Sequence, residues 1–306
     1  GGETAKLVAD LADATNWRAY DVSEKGFISF GWRPTERVLS GPGDFRPWDW
    51  HLASDEERLV YFLAAGSGQE SFAGDPRDYY RLERHVKRSG DGPPYVVSWN
   101  GSMFTYFFSH CWIDYRSYGV DDPQAFDVEQ TPVDWVENSR RATLTHRRQC
   151  QRAQGKFASF STDRWGLAPC MGVNGEGRLG YLVQAVRPSV MDADQWDGGT
   201  IAPYAAGAAL MFTPQESMAA LHAFRALSTA EGLPLAFRDP AGGGYGMADS
   251  FNLDFGVACD DNVAIDVGPF LLGMENSRTG LVWKLFMRHP VAQRAVGRLR
   301  WRPWID

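Results

Sequence analysis

The feature that most constrains the fold of this 306-residue chain is a series of helical patterns separated by glycine-rich loops. In residues 3–17, for example, Leu7, Val8 and Leu11 lie on one side of a helix. Alternation with a period of two is weak, so only a few short strands are expected. The other helical patterns cover residues 54–65, 75–88, 102–118, 132–153, 213–228, 267–287 and 290–298. The sequence therefore predicts an all-α fold with long loops.

Several helix ends carry recognisable signals. Residues 54–57 read as a capping box, and Gly66 ends the helix that follows. Thr131 and Pro132 suggest an N-cap followed by proline at the first helical position. No linker rich in proline or serine divides the chain, so residues 1–306 are expected to form one domain. Twelve helices, at roughly 25 residues for each helix and its loop, would use this length and favour an α/α toroid.

Composition and charge exclude several classes of protein. The net charge of −7 gives no basic footprint for nucleic acid. No apolar run reaches the ~18 residues of a membrane span, and the first residues do not resemble a signal peptide. The four cysteines show no metal-ligand spacing and are expected to be buried free thiols. Aromatic residues make up 13% of the chain, which suits either a bulky core or a groove for sugar rings.

Cofactor motifs are also missing from the sequence. There is no dinucleotide fingerprint, phosphate loop, nucleophile elbow or metal-binding histidine pair, so neither a cofactor nor a metal is expected. Many carboxylates, aromatic residues and glycine-rich loops remain. That combination suits hydrolysis of a glycosidic bond by paired carboxyl groups.

One candidate cluster lies in residues 102–118. His110, Asp114 and Ser117 would share one face if this segment were a single helix. These polar groups need partners on a helix that is otherwise apolar. They form either a buried network with Arg116 or Arg140, or the end of a helix that faces a polar cavity.

Other carboxylates have both a structural and a functional interpretation. Asp134 and Glu137 could complement a helix dipole or act as a coupled pair. Glu216 stands where a capping-box acid belongs, and spacing alone favours that role. Asp197 could line a pocket or hold a turn. Glu275 is predicted to be buried in mid-helix, with Arg278 available as its partner.

Six segments resemble, in order, the bacterial glucoamylase-like family, which includes the β-1,2-glucan-degrading enzymes of glycoside hydrolase family 144. The resemblance covers roughly residues 50–300. The segments are FFSHCWIDYR (107–116), DWVENSRRAT (134–143), WGLAP (165–169), DGGTIAPYAAGAALMFTPQES (197–217), YGMADSFN (245–252) and MENSRTGLVWKLF (274–286). The resemblance implies an (α/α)6 toroid and metal-independent, anomer-inverting cleavage of β-1,2-glucan, either endo-wise or with release of sophorose. It also implies export to the periplasm or the medium.

The resemblance favours a functional role for three acids, Asp134, Glu137 and Glu216. The family pattern D-Y-F-E-N-S falls on residues 134–139, and F-x-P-x-E-S falls on residues 212–217 with Glu216 as the matching acid. The chain departs from the family in WGLAPCMGVNGEG, in the doubled glycine of residues 197–200, and at Val267, where members often have glutamine. These departures put the sugar contacts in doubt.

We therefore predict an inverting hydrolase of β-1,2-glucan with Glu216 as one pole and Asp134 or Glu137 as the other. Asp114 and Glu275 are held in reserve. A retaining transglycosylase, a hydrolase of another linkage, a glycan-binding protein and a polysaccharide lyase remain open. The expected partner is an oligo- or polysaccharide, and the chain is expected to be a monomer. The residues predicted to bind substrate are His110, Trp112, Arg116, Trp135, Trp165, Asp197, Thr200, Tyr204 and Glu275, with Trp99 as a further sugar platform.

Overall fold

A computed structural model describes residues 2–23, 25–34, 43–54, 56–196 and 198–303. Helices dominate this part of the chain. Its ten α-helices are α1 (Gly2–Ala14), α2 (Glu57–Ala65), α3 (Pro76–Arg81), α4 (Met103–Phe107), α5 (Trp135–Ala153), α6 (Pro203–Ala208), α7 (Pro214–Arg225), α8 (Ala264–Thr279), α9 (Leu281–Arg288) and α10 (Pro290–Arg298). Short 3-10 turns cover Trp17–Tyr20, Phe108–Cys111, Tyr115–Ser117, Pro123–Phe126, Ala209–Met211 and Pro240–Gly242.

The strands within the described ranges are short and form two-stranded antiparallel pairs. The pairs are β1 (Ile28–Ser29) with β4 (Asp49–Trp50), β2 (Trp32–Pro34) with β3 (Gly43–Phe45), β5 (Val86–Lys87) with β6 (Tyr95–Val96), β7 (Cys170–Val173) with β8 (Leu179–Leu182), β9 (Phe237–Arg238) with β10 (Gly246–Met247), and β11 (Phe251–Asn252) with β12 (Val257–Ala258). These pairs lie in the loops between helices, as the weak alternation in the sequence suggested.

Contacts between Cα atoms divide the chain into two compact units. Unit 1 contains residues 1–84, 113–134 and 284–306, and unit 2 contains residues 85–112 and 135–283. Each unit is built from more than one stretch of chain. One domain over residues 1–306 stays a prediction.

The core of unit 1 is aromatic. Trp301 packs against Phe62, Tyr79 and Tyr115, with ring centroids 5.2, 5.8 and 5.7 Å away. The hydroxyl of Tyr80 donates a 2.7 Å hydrogen bond to the carbonyl oxygen of Leu299. These contacts tie the segment after α10 to the helices near the start of the chain.

Unit 1 also contains a fully buried ion pair. Both terminal nitrogens of Arg84 contact the carboxylate of Asp121, at 2.8 and 2.9 Å. The backbone N–H of Val133 donates to the same carboxylate at 2.9 Å. These bonds offset the cost of burying the two charges, so removing one partner should be strongly destabilising.

In unit 2, helices α6 and α8 run parallel and very close together. A Cβ atom at Gly273 would lie 2.8 Å from the Cα atom of Ala208, and one at Gly207 would collide with the ring of Phe270. Only glycine allows this approach. The parallel packing brings the first turns of the two helices together, with Tyr204 on α6 and Asp266 on α8.

The predicted helix over residues 102–118 is wrong in its extent. Helix α4 ends at Phe107 and continues only as a 3-10 turn to Cys111, while Asp114 precedes a separate turn. His110, Asp114 and Ser117 therefore do not share one helix face. An apolar pattern with a period near three is compatible with both kinds of helix, so the sequence did not show the break.

Two predicted helix starts are also wrong. Helix α2 begins at Glu57 with Glu56 as N-cap, and no side chain caps it. Helix α5 begins at Trp135 rather than Pro132. Asp134 therefore lies just outside α5, where it forms an isolated β-bridge with Val120, and the first helical turn contains only Glu137 of the two acids.

The remaining boundaries were predicted with mixed success. Helix α10 matches residues 290–298, because Pro290 takes the first position and His289 Nδ1 accepts the N–H of Val291. The predicted helix 267–287 is divided at Gly280, whose φ of 66° ends α8. The predicted helix 75–88 stops at Arg81 and is followed by β5.

The four cysteines are buried free thiols, as predicted. No helix in the described ranges combines the length and the hydropathy that a membrane crossing requires.

Candidate active site

Glu137, in the first turn of α5, is held by two arginines. Its carboxylate accepts hydrogen bonds from Arg140 Nε at 2.7 Å and from Arg141 Nε at 2.8 Å. Partial burial favours the protonated form, but these hydrogen bonds outweigh it and hold the pKa of Glu137 below its usual value. Glu137 is thus an ionised carboxylate near neutral pH.

Glu216 is not a capping residue. The N–H of Thr213, which a capping-box acid would accept, donates instead to the carbonyl oxygen of Ala209 at 2.9 Å. The Thr213 hydroxyl bonds to Ala209 and Ser217 and does not cap α7. Among the residues that the structure describes, nothing hydrogen-bonds to the half-buried carboxyl of Glu216.

Glu216 and Glu137 share a neighbour in Arg140. Hydrogen bonding to Glu137, and then the negative charges of Glu137 and Glu216, raise the pKa of Arg140. The start of α5 therefore supplies an arginine that hydrogen-bonds to Glu137 and interacts through its charge with Glu216 at the start of α7. The pairing of these two acids as catalytic poles stays a prediction.

His110 lies between α5 and the residues just before α7. Its Nε2 is 3.0 Å from the hydroxyl of Ser139, two residues after Glu137 on α5. Its ring packs edge-on against Phe212, at a centroid distance of 4.7 Å, just before α7. His110 is buried, and its carbonyl oxygen accepts a 2.6 Å bond from Trp283 Nε1. His110 is therefore buried in a polar network that contains Ser139 and Trp283, whereas the sequence had suggested Arg116 or Arg140.

Among the predicted sugar platforms, two indole rings belong to the core of unit 2. Trp135 and Trp165 are buried, and so is the ring of Tyr204. Protein atoms cover their faces, so the prediction that they stack on sugar does not fit this structure. Trp112 is half-buried against the same core, whereas Trp99 is half exposed.

The remaining predicted residues of unit 2 have varied positions. Thr200 is buried, where its hydroxyl donates to the carbonyl oxygen of Val173 and accepts a 2.9 Å bond from Asn252 Nδ2. It therefore supports the loop that follows Asp197, which itself lies outside the described residues. Glu275 is half-buried rather than buried, and it pairs with Arg278 at 2.9 Å as the sequence suggested.

Three predicted residues belong to unit 1. Asp114 accepts bonds from Arg116 Nε at 2.9 Å and from the hydroxyl of Ser117 at 3.0 Å. This network is local, and it contains the arginine that the sequence offered as a partner. Asp134 is half-buried beside Val120.

Sequence reasoning missed one carboxyl pair. Asp249 follows β10, and Asp266 lies in the first turn of α8. The antiparallel pair β11–β12 reverses the chain between them, and Asp249 Oδ2 accepts a 2.7 Å bond from the N–H of Met171 on β7. In the sequence, the only signal near Asp266 was the departure from the family pattern at Val267. The glycine-rich loop before Asp249 was a signal, but nothing local indicated that the two acids meet.

The environment of this pair favours a shared proton. Burial, followed by the charge of Asp249, raises the pKa of Asp266 to about 8. Burial also raises the pKa of Asp249. The hydroxyl of Tyr204, which donates to the carbonyl oxygen of Pro169 at 2.7 Å, lies beside Asp266. One of the two carboxyls therefore keeps a proton near neutral pH.

Helix α6 and the 3-10 turn that continues it connect the two carboxyl sites, with the pair Asp249 and Asp266 near the start of α6 and Glu216 just after the turn. Tyr204 is at the start of α6, and Glu216 follows the 3-10 turn that continues α6 to Met211. From Tyr204 to Met211 the rise is roughly 12 Å. Within the described ranges, no three His, Cys, Asp or Glu side chains are grouped so that they could hold a metal ion.

Comparison with known proteins supports the family suggested by the sequence. A family model described as "Putative glucoamylase" matches residues 47–290. The chain is 27% identical over 250 residues to an exo β-1,2-glucooligosaccharide sophorohydrolase (non-reducing end) of Parabacteroides distasonis. That alignment covers 78% of this chain but 30% of the relative.

Two solved structures share the fold. An endo-β-1,2-glucanase from Chitinophaga pinensis, in complex with sophorotriose and glucose, superposes with a TM-score of 0.72 at 23% identity, over 96% of this chain and 64% of that one. A β-1,2-glucanase from Parabacteroides distasonis gives 0.73 at 21% identity, over 96% and 40%. The chain thus spans less than two thirds of the length of these relatives. The likeness confirms the predicted helical α/α fold class, and because the family model covers most of the sequence, the chain belongs to the glucoamylase-like family.

Proposed function

We propose that this chain is a glycoside hydrolase that cleaves β-1,2-linked glucose chains with inversion at the anomeric carbon. The observation that carries the proposal is the carboxyl of Glu216, which has no hydrogen-bond partner among the described residues and lies near Arg140. A half-buried carboxyl without a structural partner is available to a ligand. The activities of the relatives indicate which bond it would act on.

The ionised state of Glu137 suggests how the two glutamates divide the reaction. Glu137 is ionised and bound to Arg140 and Arg141, so it can accept a proton but has none to donate. We assign it to the water that attacks the anomeric carbon. Glu216 then protonates the oxygen of the leaving sugar.

An inverting reaction needs room for that water between the two carboxyls, at a separation of ~6.5–9.5 Å. Arg140 hydrogen-bonds to Glu137, and its charge also interacts with that of Glu216, and we propose that the two carboxyls are far enough apart to admit this water.

The first test is the variant Glu216→Gln, with Glu231→Gln as the matched control on an exposed acid. We expect kcat on β-1,2-glucan to fall on the order of 100-fold or more in Glu216→Gln and to be unchanged in the control. The free energy of unfolding should change by no more than about 0.5 kcal/mol. Wild-type turnover in Glu216→Gln would refute the assignment.

The substrate and stereochemistry are tested separately. A panel of β-1,2-, β-1,3-, β-1,4- and α-glucans, read by reducing sugar and chromatography, should give products from β-1,2-glucan alone. NMR of the first product should show the α-anomer. A β-anomer with longer oligosaccharides would indicate a retaining transglycosylase, and binding without any product would indicate a glycan-binding protein.

A second assignment of the acid is favoured by the pKa of Asp266, about 8, which keeps this carboxyl protonated at neutral pH. If Asp266 is the proton donor, Asp266→Asn abolishes turnover while Glu216→Gln retains it. The two variants measured side by side on sophoro-oligosaccharides decide between the assignments.

The remaining parts of the proposal concern the setting of the protein. We propose that it acts outside the cytoplasm, as the family resemblance implies, and that it is a monomer. Cell fractionation and light scattering test these two points.

A further inference from the structure

Unit 1 contains a cavity of about 280 Å³ that no part of the proposed mechanism uses. It lies between the segment after α1, the first turn of α3 and one face of α2. Its polar and aromatic lining residues are Trp17, Arg18, Asp21, Tyr61, Asp75 and Asp78. Its volume is close to the lower end of small-molecule sites, about 300 Å³, and suits a single ring.

Two of the lining side chains are fixed by bonds to the backbone. The hydroxyl of Tyr61 donates to the carbonyl oxygen of Trp50 and accepts the N–H of Ile28, both at 2.7 Å. Arg18 Nε donates to the carbonyl oxygen of Ala73 at 2.9 Å. The walls are therefore set before any ligand arrives.

Asp78 has an acceptor atom with no partner. The residue is 7% exposed, and its Oδ1 accepts a 2.9 Å bond from Arg81. Within the described ranges, no donor reaches its Oδ2. Burial, and then the charge of Asp75, raise the pKa of Asp78 to about 7, as expected for a carboxylate short of donors.

The space beside Asp78 is kept open by glycine. A Cβ atom at Gly26 would lie 2.5 Å from Asp78 Oδ1, and the φ of Gly26 is +79°. A side chain here would both collide with the carboxylate and strain the backbone. The cavity thus combines a buried acceptor on Asp78, the aromatic ring of Trp17 and, at Gly26, the absence of a side chain that would cover the acceptor.

The charge around the cavity argues for a neutral ligand. Three carboxylates, those of Asp21, Asp75 and Asp78, face or border it. They are balanced by three guanidinium groups, because Arg18 also lines it, Arg77 binds Asp75 at 2.9 Å and Arg81 binds Asp78. A simple cation gains little from such a balanced set, whereas a ligand with several hydroxyl groups can donate to the unused carboxylate oxygens.

We propose that this cavity binds one sugar residue, with a hydroxyl group donating to Asp78 Oδ2 and the ring lying against Trp17. The choice of a sugar among hydroxyl-rich ligands rests on the proposed function. The site would hold a saccharide independently of the carboxyls of unit 2.

The experiment uses the whole 306-residue chain with the substitution Glu216→Gln, so that saccharide is bound but not cleaved. It is carried out at pH 8, above the pKa of Asp78, so that this carboxyl is ionised. Sophorose is the probe, and binding is measured by isothermal titration. Trp17→Ala is compared with Trp48→Ala, which removes an exposed tryptophan of unit 1 that does not line the cavity. Asp21 also lines the cavity but is exposed, so Asp21→Asn provides a second variant if Trp17→Ala fails to fold.

We expect two classes of sophorose site, and we expect Trp17→Ala to weaken one of them at least tenfold while Trp48→Ala changes neither. In the otherwise wild-type protein, Trp17→Ala should leave kcat on a short oligosaccharide unchanged. Sophorose binding that is identical in Trp17→Ala, Asp21→Asn and the control would overturn the proposal. Binding of calcium or ammonium in this cavity, measured by titration, together with no binding of sophorose would also overturn it. If β-1,2-glucan is not hydrolysed but sophorose still binds here, the proposed function fails and the cavity assignment stands.

Discussion

Replacing Asp266 by asparagine tests the shared proton that the structure assigns to the pair Asp249 and Asp266. The pKa of Asp266 is raised to about 8, whereas in the unfolded chain it is close to 3.8. Between these values the folded protein keeps a proton that the unfolded chain has lost. Stability therefore falls as pH rises through this window and levels off above pH 8, because the raised pKa belongs to the folded state.

The size of the effect follows from the proton count. One proton held only by the folded state lowers the free energy of unfolding by about 1.4 kcal/mol for each pH unit. Between pH 5 and pH 8 the limit is about 4 kcal/mol, and screening by solvent reduces it to about 2–3 kcal/mol. Asp266→Asn removes the titrating group and the repulsion on Asp249, so the variant should lose less stability than the wild type over this range.

The assay is urea unfolding at pH 5, 6, 7 and 8, followed by tryptophan fluorescence and circular dichroism. The free energy of unfolding of Asp266→Asn, relative to wild type, should rise by about 2–3 kcal/mol from pH 5 to pH 8. Asp91→Asn, on an exposed loop, is the control and should run parallel to wild type. If the difference between Asp266→Asn and wild type stays constant within about 0.5 kcal/mol, the pair does not share a proton and the reasoning is wrong.

Three further predictions concern packing and reactivity. Asp121→Ala should lower the free energy of unfolding by about 3–5 kcal/mol, because it removes the carboxylate that both terminal nitrogens of the buried Arg84 contact. A loss below about 1 kcal/mol in urea unfolding would contradict this. Gly273→Ala should cost about 1–3 kcal/mol, because its Cβ atom would lie 2.8 Å from Ala208, and an unchanged Tm would show that α6 and α8 can separate freely. The four thiols should react with Ellman's reagent at pH 8 only after unfolding, because burial raises the pKa of each, and fast labelling of the native protein would count against their burial.

Local chemical signals predicted the ends of α10 well but gave the wrong starts for α2 and α5. In α10, Pro290 and the His289 cap act within a few residues, so the boundary is encoded locally. The segment 102–118 was predicted poorly, because its apolar pattern continues past Phe107 while the backbone tightens into a 3-10 turn there. The reason is that a hydrophobic pattern does not distinguish a continued helix from a turn packed into the same core.

The candidate site shows the same division. The motif around Glu137 and Glu216 identified both acids, but spacing alone favoured a capping role for Glu216. Only the folded chain showed that the N–H of Thr213 is already bonded to Ala209. The aromatic platforms were predicted from residue type, and burial removed Trp135 and Trp165 from that role.

The sequence by itself determined the helical class and the family, because these depend on residue types and short-range spacing. The tertiary structure alone decided which acids meet, which lose water and which gain an arginine. The pKa of Asp266 is raised to about 8 because the fold buries it beside Asp249, from which it is 17 residues apart in the sequence. Glu137 is ionised because Arg140 and Arg141 reach it. Protonation depends on distances and burial, which a linear pattern does not contain.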